Sequence, residues 1–342
     1  MKLKALLMAG AVAVAAIGGI ASTDVEAQNR SYLLSTAGTG GTYYPVGVAI
    51  ATLTSVRIQP RHGMAMSAIN SAGSGENIKL LREDQVDFAI VQGLWGAYGA
   101  TGTGPLAEDG VQSNLRSITS LWPNVEHFAL RSDLVETGTI ADLLAQEGAG
   151  FAIGARNSGT EGSNRHILAG LGVEDPEAYF SVEFMGYTPS AEAFQNNQID
   201  AINPAAGPPV GAYTRLTAAV GDEVTLLGFT DEQVAAANGP FDSLWVPFVI
   251  EAGTYSGQDE DVTTIGQPNF LAVDDDVPTG DVYLLTKTMY ENLPFLNAIH
   301  PATGFMSVET ALNGLPVPLH PGAVQYYQEV GIEIPDRLMP SM

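Results

Sequence analysis

Three short segments carry the residues best suited to hold an anion. Gly40-Gly41-Thr42-Tyr43, Ser74-Gly75-Glu76-Asn77 and Asn157-Ser158-Gly159-Thr160 each combine glycine with hydroxyl or amide side chains. Each follows an apolar run and precedes a helical one, so each reads as a turn from a strand into a helix. Glycine lets the backbone approach a ligand and take positive φ. The helix that follows offers unpaired N–H groups and the positive end of its dipole. Together these bind an anion without a basic side chain. A single turn of this kind is by default an ordinary connection; recurrence at strand carboxyl ends in both halves of the chain is what points to a ligand. Arg156 adds a planar guanidinium suited to a bidentate carboxylate grip, the alternative being a surface arginine paired with Glu161. Gln92, at a strand end, is placed to hydrogen-bond a polar ligand or to satisfy loop backbone. Tyr43, Trp95 and Tyr187 are candidates for pocket walls, with core packing the simpler reading of each alone.

Other chemistries find no residues. The five histidines, His62, His127, His166, His300 and His320, show no metal-ligand spacing. Gly38-x-Gly40-Gly41 lacks the third glycine and the following acid of a dinucleotide-binding turn. There is no G-x-x-x-x-G-K-[ST] and no G-x-S-x-G elbow. The chain has no Cys, which excludes thiol catalysis and thiolate metal sites. No cofactor, catalytic group or metal is expected.

The charge balance narrows the partners further. Fourteen Lys+Arg stand against 38 Asp+Glu, a formal net charge of −24. Nucleic-acid binding requires a basic footprint, and none exists. The acids are scattered, as in Glu83-Asp84 and Asp274-Asp275-Asp276, and read as solvated surface. An anionic ligand meets an unfavourable long-range field, so its site must be made locally. At the N-terminus, Lys2 and Lys4 precede the short apolar run Ala5 to Ile17, and Val25-Glu26-Ala27 is a small-x-small cleavage site. Residues 1–27 thus read as a secretory signal, and the protein is expected in the periplasm from Gln28 onward.

The elements that must position these groups alternate in type. Strands are predicted at Tyr32–Ser35, Ala65–Ala68 and Asp87–Val91, with helices from Tyr44-Pro45 and over Glu76–Arg82. A second block follows, with strands at His127–Leu130, Phe151–Gly154 and Ile199–Ile202. Its helices are Ile140–Gln146, capped by Thr139, one ending near Gly170, and Ala191–Asn196. Strands at Trp245–Ile250 and Phe270–Val273 and helices at Val282–Leu293 and Gly322–Val330 close the chain. Strand, glycine turn and helix in repetition imply an α/β fold with mainly parallel sheets. Removing 27 residues from 342 leaves about 315, enough for two lobes. The expected organisation is lobe I over 28–118 plus 246–342 and lobe II over 119–245, with two crossings forming a hinge and a ligand cleft between.

The same stretches resemble a known family. Gly38-Thr39-Gly40-Gly41-Thr42-Tyr43-Tyr44-Pro45, Ser74 with Asn77, Asp87–Gln92, Ser158-Gly159-Thr160, Ala252-Gly253-Thr254-Tyr255 and Pro316–Ala323 with Tyr326-Tyr327 are similar to the TAXI branch of solute receptors for TRAP transporters. The resemblance spans the chain after residue 27. It implies a two-lobed periplasmic binding fold (type II-like), a monomer, and an ion-gradient-driven membrane permease as partner. It also implies a small carboxylate solute, either a glutamate-like amino acid or a dicarboxylate or oxo acid. Two departures bear on specificity. The family's turn often reads Gly-Pro-x-Gly-Ser-Gly-Thr, where this chain has Gly154-Ala155-Arg156-Asn157-Ser158-Gly159-Thr160. The loop Asn203-Pro204-Ala205-Ala206-Gly207-Pro208-Pro209 replaces a more aromatic version and reshapes the pocket, with Asn203 and Gly207 among the expected ligand contacts. A sensor of the same fold and, further off, a periplasmic hydrolase are the competing readings.

Overall fold

The structure is a computed structural model that describes residues 29–340; the signal-peptide reading lies outside the described residues. Among the described residues eleven strands form two sheets. They are β1 (Arg30–Ser35), β2 (Met64–Ile69), β3 (Phe88–Gln92), β4 (Leu115–Val125), β5 (Ala129–Arg131), β6 (Gly150–Ala152), β7 (Ser181–Glu183), β8 (Ala201–Ile202), β9 (Val224–Leu226), β10 (Val246–Ile250) and β11 (Val262–Asp274).

In the first sheet β1 lies between β2 and β3, parallel to both, with Tyr32 opposite Met66 and Leu34 opposite Phe88. The segment Phe-Ala-Ile-Val-Gln of β3 is buried throughout, as a strand covered on both faces requires. β11 continues the sheet antiparallel to β3, and its other edge receives β4, also antiparallel. The first residues of β11 pair with β10. The second sheet runs β7-β6-β8-β5-β9. Here β6 is parallel to β7 and β8, while β5 is antiparallel to β8 and β9. Each sheet therefore has three parallel strands at one end, extended on the other side by antiparallel strands.

Helices Tyr43–Leu53, Ser74–Arg82 and Gly93–Thr101 follow β1, β2 and β3. Helices Gly159–Gly170 and Tyr187–Gln195 follow β6 and β7. Thr139 caps its helix as expected, its hydroxyl accepting from Ala141 N–H. Apolar packing is continuous between lobes: one cluster includes Leu34, Phe88 and Phe270 together with Phe128, Phe151 and Ile167. A second holds Phe194, Ile202, Val210 and Tyr213, joined by Ile250 and Tyr255 from the β10–β11 hairpin. That hairpin thus pairs in the first sheet and packs on the second lobe.

Several elements are longer or newer than the sequence suggests. β4 and the helices Gly93–Thr101, Gly211–Val220 and Asp231–Asn238 were not expected, and β11 starts eight residues before Phe270. Gly170 is the last residue of its helix, as expected, and is also a contact point. A Cβ there would lie 2.2 Å from the Ala236 carbonyl oxygen of helix Asp231–Asn238. Alanine is a better helix former than glycine by about 1 kcal/mol, but the backbone clash dominates. Gly170→Ala should lower stability by roughly 1–3 kcal/mol, the usual cost of overpacking. Urea denaturation tests this; a midpoint equal to or above wild type would show that propensity wins.

Candidate functional site

A cavity of ≈ 320 Å³ lies between the two lobes. Its walls are the turns after β1 and β2, the end of β3, and Asn124 on β4. From the second lobe come Ala155, Ser158–Thr160, Gly186–Pro189 and Ala205-Ala206. Three helices begin at this cavity: Tyr43–Leu53, Ser74–Arg82 and Gly159–Gly170, of 11, 9 and 12 residues. Their first N–H groups have no partner within the helix. Gly73 precedes the second of them at φ 121 and ψ −153, a conformation that only glycine adopts at little cost. Ser158 caps the third, its hydroxyl accepting from Glu161 N–H at 3.0 Å.

The lobes touch around the cavity. Glu76 N–H donates to the Asn157 carbonyl at 2.9 Å, and Ala212 N–H donates to Gly40 O at 3.0 Å. Thr42 Oγ1 donates to Gly207 O at 2.8 Å. These cross-lobe bonds describe a closed arrangement.

Of the sequence candidates, Gly41, Thr42, Tyr43, Ser74, Gln92, Ser158, Gly159 and Thr160 line the cavity together. Tyr187 also lines it, its hydroxyl taking a hydrogen bond from Thr160 Oγ1 at 2.6 Å and donating to Ala205 O at 2.5 Å. The other candidates are set back from it. Asn77 is fully buried, donating to the Thr36 and Ile90 carbonyls. Asn157 has φ 61 and meets the other lobe through its carbonyl. Asn203 is buried against Glu126 and Asn164. Gly207 presents its carbonyl to Thr42 and packs on Trp122. Trp95 is core, behind Gly75 and Gly162.

The expectation for Arg156 needs correcting. Its side chain is exposed and does not line the cavity. The guanidinium stacks over the Phe184 ring, 3.6 Å from the centroid. This cation–π contact suits a planar cation near the surface. Glu161, its supposed alternative partner, accepts instead from Asn157 N–H and Arg165. Asn124 is the residue that sequence reasoning missed. It is 1% exposed, and its Nδ2 has no hydrogen-bond partner. Asn70, Ser71 and Thr188 also line the cavity without having been singled out. Among the lining residues none is Asp, Glu, Lys, Arg or His.

Behind the cavity a buried polar network joins the lobes. Gln92 Oε1 accepts from Ser163 Oγ at 3.3 Å, and Ser163 Oγ accepts from Gln267 Nε2 at 3.0 Å. The carboxylate of Glu126, 0% exposed, accepts from Asn203 Nδ2 at 2.8 Å and Trp245 Nε1 at 3.1 Å. Burial pushes the Glu126 carboxyl up to about 7, although the hydrogen bonds favour its ionised form. The neighbouring imidazole of His127 is pushed down to about 4 by its own burial. Tyr255 Oη, which accepts from Val210 N–H, lies 2.8 Å from His127 Nε2, and Nδ1 lies 2.9 Å from Val125 O. A neutral ring with its proton on Nδ1 satisfies all of these.

Comparison with known proteins agrees with this architecture. The family model described as NMT1-like family matches residues 34–331. MatC from Rhodopseudomonas palustris, solved with bound malate, superposes with a TM-score of 0.53 at 14% identity over 88% of this chain and 96% of that one. The periplasmic binding protein BugD gives 0.51 at 15% identity over 88% and 95%. At such identities the likeness establishes the fold, the two-lobed one of periplasmic binding proteins.

The paired shifts predict a pH signature. Glu126 has a folded pKa above the ordinary carboxyl value of 4.5, so its contribution is full below 4.5 and lost as pH rises through about 7. His127 has a folded pKa below 6.5, so its contribution is full above 6.5 and lost as pH falls through about 4. The two oppose each other in between. His166, His300 and His320 shift downward like His127 and are shared by any Glu126 variant. The melting temperature of Glu126→Gln minus that of wild type should therefore climb as pH rises from 4.5 to 7. A difference independent of pH would place the carboxyl's titration elsewhere.

Proposed function

This chain belongs to the NMT1-like family, and on that premise we propose that it is a periplasmic solute receptor that captures a small carboxylate-containing solute and hands it to an ion-gradient-driven TRAP permease. The observation that carries this reading is the closed interlobe cavity at which three helices begin and toward which Asn124 is left unpartnered. Helix N-termini are suited to a carboxylate. They also supply attraction that the rest of the molecule, at −24, withholds. The malate in MatC is a small carboxylate in a protein of the same fold. The similarity of Gly38–Pro45 and Pro316–Ala323 to TAXI receptors supports the choice of transporter. We assign residues 28–125 with 246–342 to one lobe and 126–245 to the other, moving the expected boundary from 119 to the end of β4, because that strand pairs along its length with β11 of the first sheet. Hinges near 119–124 and 240–247 open the cleft, and the receptor works as a monomer after removal of residues 1–27.

A thermal-shift screen with mono- and dicarboxylates tests the proposal. A ligand at ~100 times its dissociation constant should add about 2.7 kcal/mol of stability. The same ligand should slow hydrogen exchange at the Glu76 and Ala212 amides, whose bonds cross between lobes. A screen in which only neutral compounds raise the melting temperature would refute the carboxylate reading.

Substitutions separate the contributors. A Cβ on Gly159 would lie 2.5 Å from Gln92 Oε1 and 2.8 Å from Ser74 Oγ. Gly159→Val should therefore block closure and weaken the screened ligand at least tenfold, about 1.4 kcal/mol. Ser158→Ala should have a smaller effect, and Arg156→Ala should stay within about twofold, ~0.4 kcal/mol. Titration calorimetry that found Arg156→Ala the most damaging would return the anion grip to the guanidinium.

A further inference from the structure

We infer that the solute is an organic acid without an ammonium group, a simple, hydroxy or oxo acid, because the closed cavity keeps free hydrogen-bond donors, has several of its acceptors engaged and is lined by no acidic side chain. The inference rests on the carboxylate reading above and narrows it.

The donors come first. Asn124 Nδ2 is buried and unpartnered at the cavity wall, so a ligand oxygen is its natural complement. The three helices that begin at the cavity come from both lobes and add N–H groups of their first turns, though not that of Glu76, which is spent on Asn157 O. Ser158 Oγ accepts from Glu161 N–H, which leaves its hydroxyl proton free to donate.

Several acceptors in the wall are spent within the protein. Gly40 O receives Ala212 N–H, and Ala37 O receives Asn70 Nδ2 at 3.4 Å. Ala205 O receives the Tyr187 hydroxyl, and Gln92 Oε1 receives Ser163. Tyr43 donates its hydroxyl to Asn269 rather than presenting it to the cavity as a free acceptor. An ammonium carries three donors and needs acceptors, and preferably an anion, once desolvated. No acidic side chain lines the cavity, and three positive helix ends would oppose the cation. A carboxylate meets the opposite conditions at each point. Alanines, a proline and two tyrosines in the wall favour a carbon skeleton over an inorganic oxyanion.

Matched pairs test this by titration calorimetry on the wild-type protein at pH 7.5: glutarate against glutamate, succinate against aspartate, and lactate against alanine. In any pair that binds, the member without the ammonium should bind at least tenfold more tightly. An amino acid binding as tightly as its partner overturns the inference while leaving the carboxylate reading intact. If no acid binds but glutaramide or lactamide does, the carboxylate reading fails, and the inference with it. Asn124→Asp gives a second arm, replacing a donor by an anion at nearly constant shape. It should weaken the preferred acid at least tenfold and shrink the gap to its amino-acid partner. Unchanged affinity for the acid would remove Asn124 from the site and overturn the donor argument.

Discussion

Glu126 is where the two lobes are tied together, its backbone bonded to β11 of the first and its carboxylate to residues of the second. It is buried at the end of β4, and its donors come from different parts of the chain: Asn203 from the loop after β8, Trp245 from the segment before β10. Its own backbone is held as well, since Glu126 N–H donates to Ile265 O and Thr264 Oγ1 donates to Glu126 O. A buried charge is tolerated only when such partners are in place. Ser163 and Gln267 extend the same network to Gln92, whose side chain stands in the cavity wall. Occupancy of the cavity and the state of the junction are thus in contact through hydrogen bonds.

The site solves an electrostatic problem set by the surface. With a net charge of −24, the long-range field repels any anion. Screening cuts that field to roughly 8 Å at physiological salt, so a group inside the cleft feels mainly what surrounds it. What surrounds it is backbone N–H and neutral side chains. Several of the described cations are used elsewhere: Arg165 bridges Glu161 and Glu177, Arg131 meets Asp200, and Arg156 covers Phe184. Fixed backbone dipoles have a further merit, in that they need no side-chain ordering when the ligand arrives.

How far the sequence reveals this depends on the range of the interactions. The strand–turn–helix units around Gly40, Ser74 and Ser158 were legible, because an apolar run, a glycine turn and a helical repeat are local signals. β4 was not. Its buried Ser117, Thr119 and Asn124 break the expected apolar pattern, and Ser117 is satisfied by Val317, 200 positions away. Asn124 was missed for the same reason, since it sits on the strand that went unseen. The helix Gly93–Thr101 holds Gly93, Gly96 and Gly99, which argue against a helix by propensity. Tertiary contact overrides them: a Cβ on Gly96 would lie 2.3 Å from Pro316 and 2.7 Å from Phe270. Arg156 misled because scarce cations attract attention, while the ring that holds it lies 28 residues along the chain at Phe184.

The glycines of the three turns act differently from what local reasoning suggests. Gly40, Gly75 and Gly159 all have ordinary negative or extended backbone angles, so positive φ does not explain them. Contact between the lobes does. A Cβ on Gly40 would lie 2.7 Å from Thr188 Oγ1, one on Gly75 2.6 Å from the Asn157 carbonyl, and one on Gly159 2.5 Å from Gln92 Oε1. Each added carbon would hold the lobes apart at the rim or wall of the cavity. Since the helix starts that face the cavity belong to different lobes, separation would also disperse the donors. Small residues at these three points are therefore what allows backbone from both lobes to reach one small volume together. A ligand that bonds to both sides is favoured in that closed state over the open one, which is the condition for coupling binding to closure.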